Sequence, residues 1–208
     1  MPRPSMRTIA IVAGAVVAVG LLAAGAWLWS GAQQRKGSSA YAEALILARP
    51  SQNPQVPADA RMRVILGLER VLVEYPSNAM AGEAAYELGN LRYTIGEYDK
   101  ARAAWQVAIA RAGGIGTVTT LARAGIGYAW EAERKFPEAT RAYEAALAEL
   151  KPTAFYYEVL LVDLARTQEL TGQKGAAAAT YRRILKDLPK SVRSEEVRNR
   201  LGGLGVAP

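Results

Sequence analysis

The side chains available for chemistry in this chain are tyrosines, carboxylates and guanidiniums. Its 208 residues include no His and no Cys. That removes imidazole general bases, Ser-His-Asp triads and His-ligated metals. It also removes thiol nucleophiles, cysteine zinc sites and disulfides, and with no cysteine to acylate the chain is not a lipoprotein. The close carboxylates, Glu131 with Glu133 and Glu195 with Glu196, read as solvated helix faces and not as an acid–base pair. Gly113-Gly114-Ile115-Gly116 could be mistaken for a phosphate-cradling loop. It follows no strand and has no Lys-Ser/Thr sequel, so it reads as a helix-ending turn. No catalytic residue, cofactor or metal is expected, and the chain reads as non-enzymatic. What remains is recognition, for which tyrosine is suited because it offers large contact area with few rotors to freeze.

The elements that would carry such residues are helices. Half the residues are apolar and only 8% aromatic, so a core must lean on Ala, Leu and Val, and abundant Ala and Leu favours helix. The net charge is +7, and the excess gathers late. Arg182, Arg183, Lys186, Lys190, Arg193, Arg198 and Arg200 face only Asp187, Glu195 and Glu196. Interspersed acids and the lack of any reader motif argue for a solvated face and against nucleic acid.

Residues 9–29, IAIVAGAVVAVGLLAAGAWLW, carry neither charge nor proline. As a helix they would be about 31 Å long, against a hydrocarbon core of about 30 Å. Trp27 and Trp29 close the segment, where indoles favour the headgroup boundary. Arg3 and Arg7 precede it and Arg35 and Lys36 follow it. A short basic leader before a first apolar segment favours a signal-anchor with a cytoplasmic N-terminus. The rival is a cleaved signal peptide, since Ala24-Gly25-Ala26 has the small-x-small pattern; the run is long for that. Ala10, Gly14 and Ala18 at four-residue spacing would permit close approach of another helix in lipid, or are simply part of an Ala/Gly-rich span. Gly31 to Ser39 reads as a flexible linker, Tyr41 to Ala48 as a short helix, and Arg49 to Pro57, with three prolines, as an irregular loop.

From residue 58 the chain is periodic, and its marks return every 38 residues. They are Gly89, Gly127 and Ala165; Ala101, Ala139 and Ala177; Trp105, Tyr143 and Tyr181. Ala108 and Ala146 keep the same register. The skeleton Leu88-Gly89, Gly96, Tyr98, Ala101, Trp105 and Ala108 resembles the tetratricopeptide repeat. In that family small residues let two antiparallel helices cross closely, and an aromatic fills the space beside them. The second unit departs by Arg134 at the turn glycine and has Pro137 at a helix start. The third departs at Ala165, Lys174 and Ile184. The period exceeds the family's roughly 34 by about one helical turn. The resemblance implies an all-α chain: an N-terminal transmembrane helix, then an α-solenoid of about four helical hairpins plus a C-terminal capping helix. The expected divisions are a basic leader 1–8, a membrane helix 9–30, a linker 31–40 and a repeat domain 41–201. The repeat domain comprises a degenerate unit 41–78, repeats near 79–115, 116–153 and 154–190, and a cap 191–201, stopped by Gly202-Gly203 before a tail 202–208.

Repeats of this family bind peptides or protein surfaces on a concave face lined by the first helix of each hairpin. In this register the groove positions are Tyr86, Asn90 and Tyr93, then Ala124, Tyr128 and Glu131, then Val162, Arg166 and Glu169. The same tyrosines could instead pack between helices. Asn90 matches one position of the family's carboxylate clamp, but Tyr86, Tyr128 and Val162 stand at or beside places needing basic or amide groups, so a clamp is not expected. The whole arrangement resembles the ancillary subunit family of the Sec translocon in bacterial inner membranes. That resemblance implies a periplasmic repeat domain acting on translocon components, periplasmic chaperones or exported clients. An envelope assembly factor for cell wall, division or respiratory complexes is the alternative.

Overall fold

The computed structural model describes residues 6–48, 58–112 and 116–205. The described residues are helical, with no strand among them. The helices are α1 (Met6–Ala48), α2 (Ala58–Glu74), α3 (Ala81–Thr94), α4 (Tyr98–Arg111), α5 (Gly116–Ala132), α6 (Phe136–Leu147), α7 (Tyr157–Leu170), α8 (Lys174–Asp187) and α9 (Ser194–Gly203). From α1 to α9 each helix packs on the next, and α3 also touches α5. The stretches expected as an irregular loop (Arg49 to Pro57) and as a glycine turn (Gly113 to Ile115), and most of the basic leader, lie outside the described residues.

Three connections show why the 38-residue register exists. In each, a residue with left-handed backbone ends the first helix of a hairpin: Gly96 at φ 80°, Arg134 at φ 60° and Gly172 at φ 72°. Their amides donate to Tyr93 O, Glu131 O and Glu169 O, and the following amides donate to Arg92 O, Trp130 O and Gln168 O. These paired bonds form the Schellman arrangement, which satisfies the otherwise orphaned last carbonyls of α3, α5 and α7. Glycine takes such a φ freely, whereas an L side chain is strained there. Arg134→Gly should therefore raise stability by up to about 1 kcal/mol, once the added freedom of the unfolded chain is set against the relieved strain. Equilibrium denaturation checks this, and a loss of stability would mean the arginine side chain makes contacts that outweigh its backbone.

The small-residue marks face neighbouring helices. A Cβ on Gly89 would stand 2.5 Å from Trp105 Cδ1, and one on Gly127 would stand 2.2 Å from Tyr143 Cε1. Trp105 also reaches the next hairpin, where a Cβ on Gly125 would lie 2.7 Å from its ring. Ala101, Ala108, Ala139 and Ala177 are fully buried, and Ala146 almost so. Trp105 and Tyr143 thus press against the backbone of their own hairpins, and Trp105 bridges to the following one. Pro137 falls in the first turn of α6, where its missing N–H costs nothing. Because Ala139 has no room to grow, Ala139→Leu should cost about 1–3 kcal/mol. Glu138→Gln, on a partly exposed side chain that makes a long i,i+3 ion pair with Arg141, should stay within about ±0.5 kcal/mol. Urea titration distinguishes the two, and equal small effects would contradict this packing.

Two local expectations are corrected. Gly31 to Ser39 is not a flexible linker, and Tyr41 to Ala48 is not a separate helix; both belong to the 43-residue α1. The reason is tertiary. Gln34 bridges the α2–α3 turn, its Nε2 donating to Ser77 O at 2.8 Å and its Oε1 accepting from Ala79 N at 3.0 Å. Asn78 Nδ2 donates back to Gln34 O at 2.7 Å. Gly37 lies so close to this turn that a Cβ would stand 2.5 Å from Asn78 Nδ2, and buried Ala44 sits over Gly67 of α2. Packing and hydrogen bonds outweigh the low helix propensity of glycine and serine here. At the other end, Gly202 and Gly203 are the last residues of α9, and the left-handed residue is Gly205 at φ 76°. Leu204 N–H bonds to Arg200 O, so the helix survives both glycines.

Preceding the docked part, α1 is long and apolar enough to cross a membrane. Val16, Leu21, Leu22, Trp27 and Trp29 are all more than 60% exposed, and no part of the fold covers them.

Candidate functional site

The positions assigned to the first helix of each hairpin form three polar and aromatic clusters along α3, α5 and α7, the largest of them a network between α5 and α7. Its centre is Glu131 on α5. Glu131 Oε1 accepts the Tyr143 hydroxyl at 2.5 Å, and both its oxygens accept from the Arg166 guanidinium of α7, Nη2 at 2.8 Å. Arg166 Nη2 also reaches Asp163 Oδ1 at 2.9 Å. Tyr128 donates to Asp163 Oδ2 at 3.0 Å, and its hydroxyl lies 3.1 Å from that of Tyr156. The Tyr128 and Tyr143 rings meet edge-on, with centroids 5.8 Å apart. One repeat further, Glu169 accepts Tyr181 OH at 2.6 Å and pairs with Arg200 of α9 at 3.7 Å.

In the first hairpin the chemistry changes while the register holds. Tyr93 replaces the glutamate and stacks tilted against Trp105 and Tyr98, with centroids 5.9 and 5.4 Å away. Asn90 Oδ1 accepts Trp105 Nε1–H at 3.2 Å, and the amide of Asn90 also serves Tyr86 and Glu87. Tyr41 of α1 feels the carboxylates of Glu87 and Glu83. The face is therefore acidic and tyrosine-rich in a chain whose net charge is positive.

Burial controls its electrostatics. Taking a phenol out of water disfavours the phenolate, and an adjacent carboxylate disfavours it further. Tyr143 is pushed far up by burial and then by its bond to Glu131, Tyr128 by burial and then by Tyr156 and Asp163, and Tyr181 by burial and then by Glu169. Glu87 is also raised by burial, with Asn90 partly offsetting it. Arg166 is raised by its bond to Glu131, against desolvation. These are structural ionisation shifts with named partners inside the fold.

No family model and no curated protein matches the chain. The role of this face is thus argued from its own geometry.

Of the sequence-assigned positions, Tyr128, Glu131 and Arg166 come together in one network, and Tyr86, Asn90 and Tyr93 in another beside Trp105. Glu169 joins Tyr181. Ala124 is buried, and Val162 packs half-buried against the core of the last hairpins. Tyr86, Tyr93 and Tyr128 are half-buried, so each presents an edge outward while packing inward. Sequence reasoning missed Asp163, Tyr156 and Glu87. Asp163 stands where the repeat has Gly125, so no periodic mark reveals it, although its i,i+3 spacing to Arg166 on a helix was a usable signal. Tyr156 takes φ 73° at the start of α7, a placement no helical pattern foretells. Among the described residues no cluster of three or more carboxylates, His or Cys could hold a metal.

Three cations of the late basic cluster have acidic or phenolic partners within the fold. Arg183 bonds Tyr157 OH at 2.8 Å and reaches Asp187, Arg198 pairs with Glu195, and Arg200 pairs with Glu169.

Proposed function

We propose that the chain is a membrane-anchored scaffold of the tetratricopeptide type that binds proteins or peptides on the face formed by α3, α5 and α7. In this reading α1 crosses the bilayer with a cytoplasmic N-terminus and holds the repeats in the periplasm. The role is that of an ancillary factor at the exit of the Sec translocon, acting on exported clients or their chaperones. The single observation that carries the binding role is the strip of Tyr86, Tyr93, Tyr128 and Tyr156 interleaved with Glu87, Glu131 and Asp163. Half-buried tyrosine rings fixed by hydrogen bonds, as at Tyr128 and Tyr156, or by ring packing, as at Tyr93, are pre-organised, so a bound segment pays little to order them. The ring faces favour a segment bearing Lys or Arg through cation–π contact, while Glu131 and Asp163, already paired with Arg166, hold the rings in place.

Photo-crosslinking from position 86 or 93 in intact cells tests the reading, since both positions are half-exposed and replacing either leaves the Glu131 network intact. Trapped translocon subunits, periplasmic chaperones or secretory proteins are the expected products. Adducts only with cytoplasmic proteins would overturn the topology. Recovery of cell-wall or division proteins alone would shift the assignment to envelope assembly.

A further inference from the structure

The way α1 meets the repeat domain fixes where that domain sits relative to lipid. Trp29 closes the uncharged segment, and Gln34 follows five residues later on the same unbroken helix. At 1.5 Å per residue that is an advance of about 7 Å. One headgroup layer is about 5–8 Å deep. Gln34 is the residue that hydrogen-bonds Ser77 O and Ala79 N of the α2–α3 turn, with Asn78 donating back to its carbonyl. Pro76, Ser77 and Ala79 are exposed, as are Arg35 and Lys36 of α1 beside them. One hairpin on, Ala112 at the end of α4 packs against Gly82 in the first turn of α3, and Arg111 donates to Leu72 O. The same edge therefore carries Arg111. The nearby acids are Glu74, occupied by Arg70 at 2.9 Å, and Glu83 in the first turn of α3.

We infer that the repeat domain lies against the bilayer, with the α2–α3 turn in the headgroup layer and Arg35 and Lys36 pairing with anionic lipid headgroups. The inference rests on the anchor reading of α1. It adds that no gap separates anchor from domain: the edge of the first hairpins is a lipid-contacting surface, and the opposite edge, bearing Gly96 and Lys100, points away. Lysine and arginine stems suit this position because they lie along apolar surface while their charges reach phosphates.

The absence of cysteine in the chain allows each position to be labelled singly. Ser77→Cys, Lys100→Cys and Val16→Cys carry an environment-insensitive fluorophore in the full-length protein, reconstituted in vesicles of neutral or partly anionic lipid. Lipids bearing a nitroxide on the headgroup should quench the label at 77 at least threefold more than the label at 100, which lies one 14-residue helix farther out. Equal quenching at 77 and 100 would overturn the inference. Lipids with a nitroxide on the acyl chain should quench the label at 16. If they do not, the anchor reading itself fails, which distinguishes the two failures. Adding Arg35→Gln and Lys36→Gln should lower quenching at 77 in anionic vesicles and leave it unchanged in neutral ones. An unchanged signal in both would overturn the role given to these two cations.

Discussion

Raising the pH above 10 should lower the stability of the repeat domain steeply and drive its cooperative unfolding. Tyr143 and Tyr181 are almost fully buried, and Tyr128 is half-buried. All three phenols are held well above their ordinary value by burial and by Glu131, Asp163 and Glu169. Their folded pKa values are raised, so the stability they contribute is complete below the unfolded value near 10 and is lost as pH rises beyond it. Each phenol kept neutral in the fold but ionised in the unfolded chain costs about 1.4 kcal/mol per pH unit in that window. Three together cost about 4 kcal/mol per unit, enough to exhaust a typical stability of about 5–15 kcal/mol within a few units. Far-ultraviolet circular dichroism and tyrosinate absorbance, recorded together in detergent, should show the loss of helix coinciding with the last step of tyrosinate formation among the ten tyrosines. Tyr143→Phe should lower the slope of stability against pH above 10 by roughly a third. Complete tyrosinate formation with the helices intact would mean these phenols are open to water, and the network described for α5 and α7 would be wrong.

Trp105→Ala should be the most damaging single truncation, costing about 3–5 kcal/mol. Trp105 is 3% exposed, covers Gly89 and Gly125, and donates its indole N–H to Asn90. Two glycines have given up their own side chains to accommodate this ring, so its removal leaves a cavity that neither helix can fill by moving a methyl group. Asn90 also loses the donor that its carbonyl serves. Urea unfolding of the variant beside Trp130→Ala makes the test specific. Trp130 is half-buried and lies under the Arg102 guanidinium 3.5 Å away, so its loss should cost less. A drop below about 1 kcal/mol for Trp105→Ala would remove the indole from its place as the joint between the two hairpins.

The parts of the molecule legible from its residues were those imposed by sterics. A helix crossing that brings Tyr143 onto the backbone at Gly127 tolerates almost nothing larger, and a turn with φ above zero selects glycine; both constraints repeat with the hairpin. Gly89, Ala101 and Gly96 could therefore be placed by counting alone. Arg134 was equally placeable because the turn geometry persists even where its preferred residue does not. The junction at Gly31 to Ser39 was not legible, because its conformation is decided by Ser77, Asn78 and Ala79, some forty residues away. Local composition favours a coil there, and only the distant turn makes it a helix. The face itself lay between these cases. Its positions followed from the register, but its internal bonding depends on Asp163 and Tyr156, which no repeat mark announces.

The unbroken course of α1 also has a rotational meaning. With α1 in a bilayer as proposed, a rod without a swivel would tie the compass bearing of the tyrosine strip to the rotation of the shaft within the lipid. Each residue inserted between Trp29 and Gln34 would spin that bearing by about 100°, and lengthen the shaft by only about 1.5 Å. Three or four inserted residues, completing nearly a full revolution, would restore the aim at greater height. Lateral tugging on a segment bound as proposed would reach the bilayer as a bending moment, not as slack taken up by a tether.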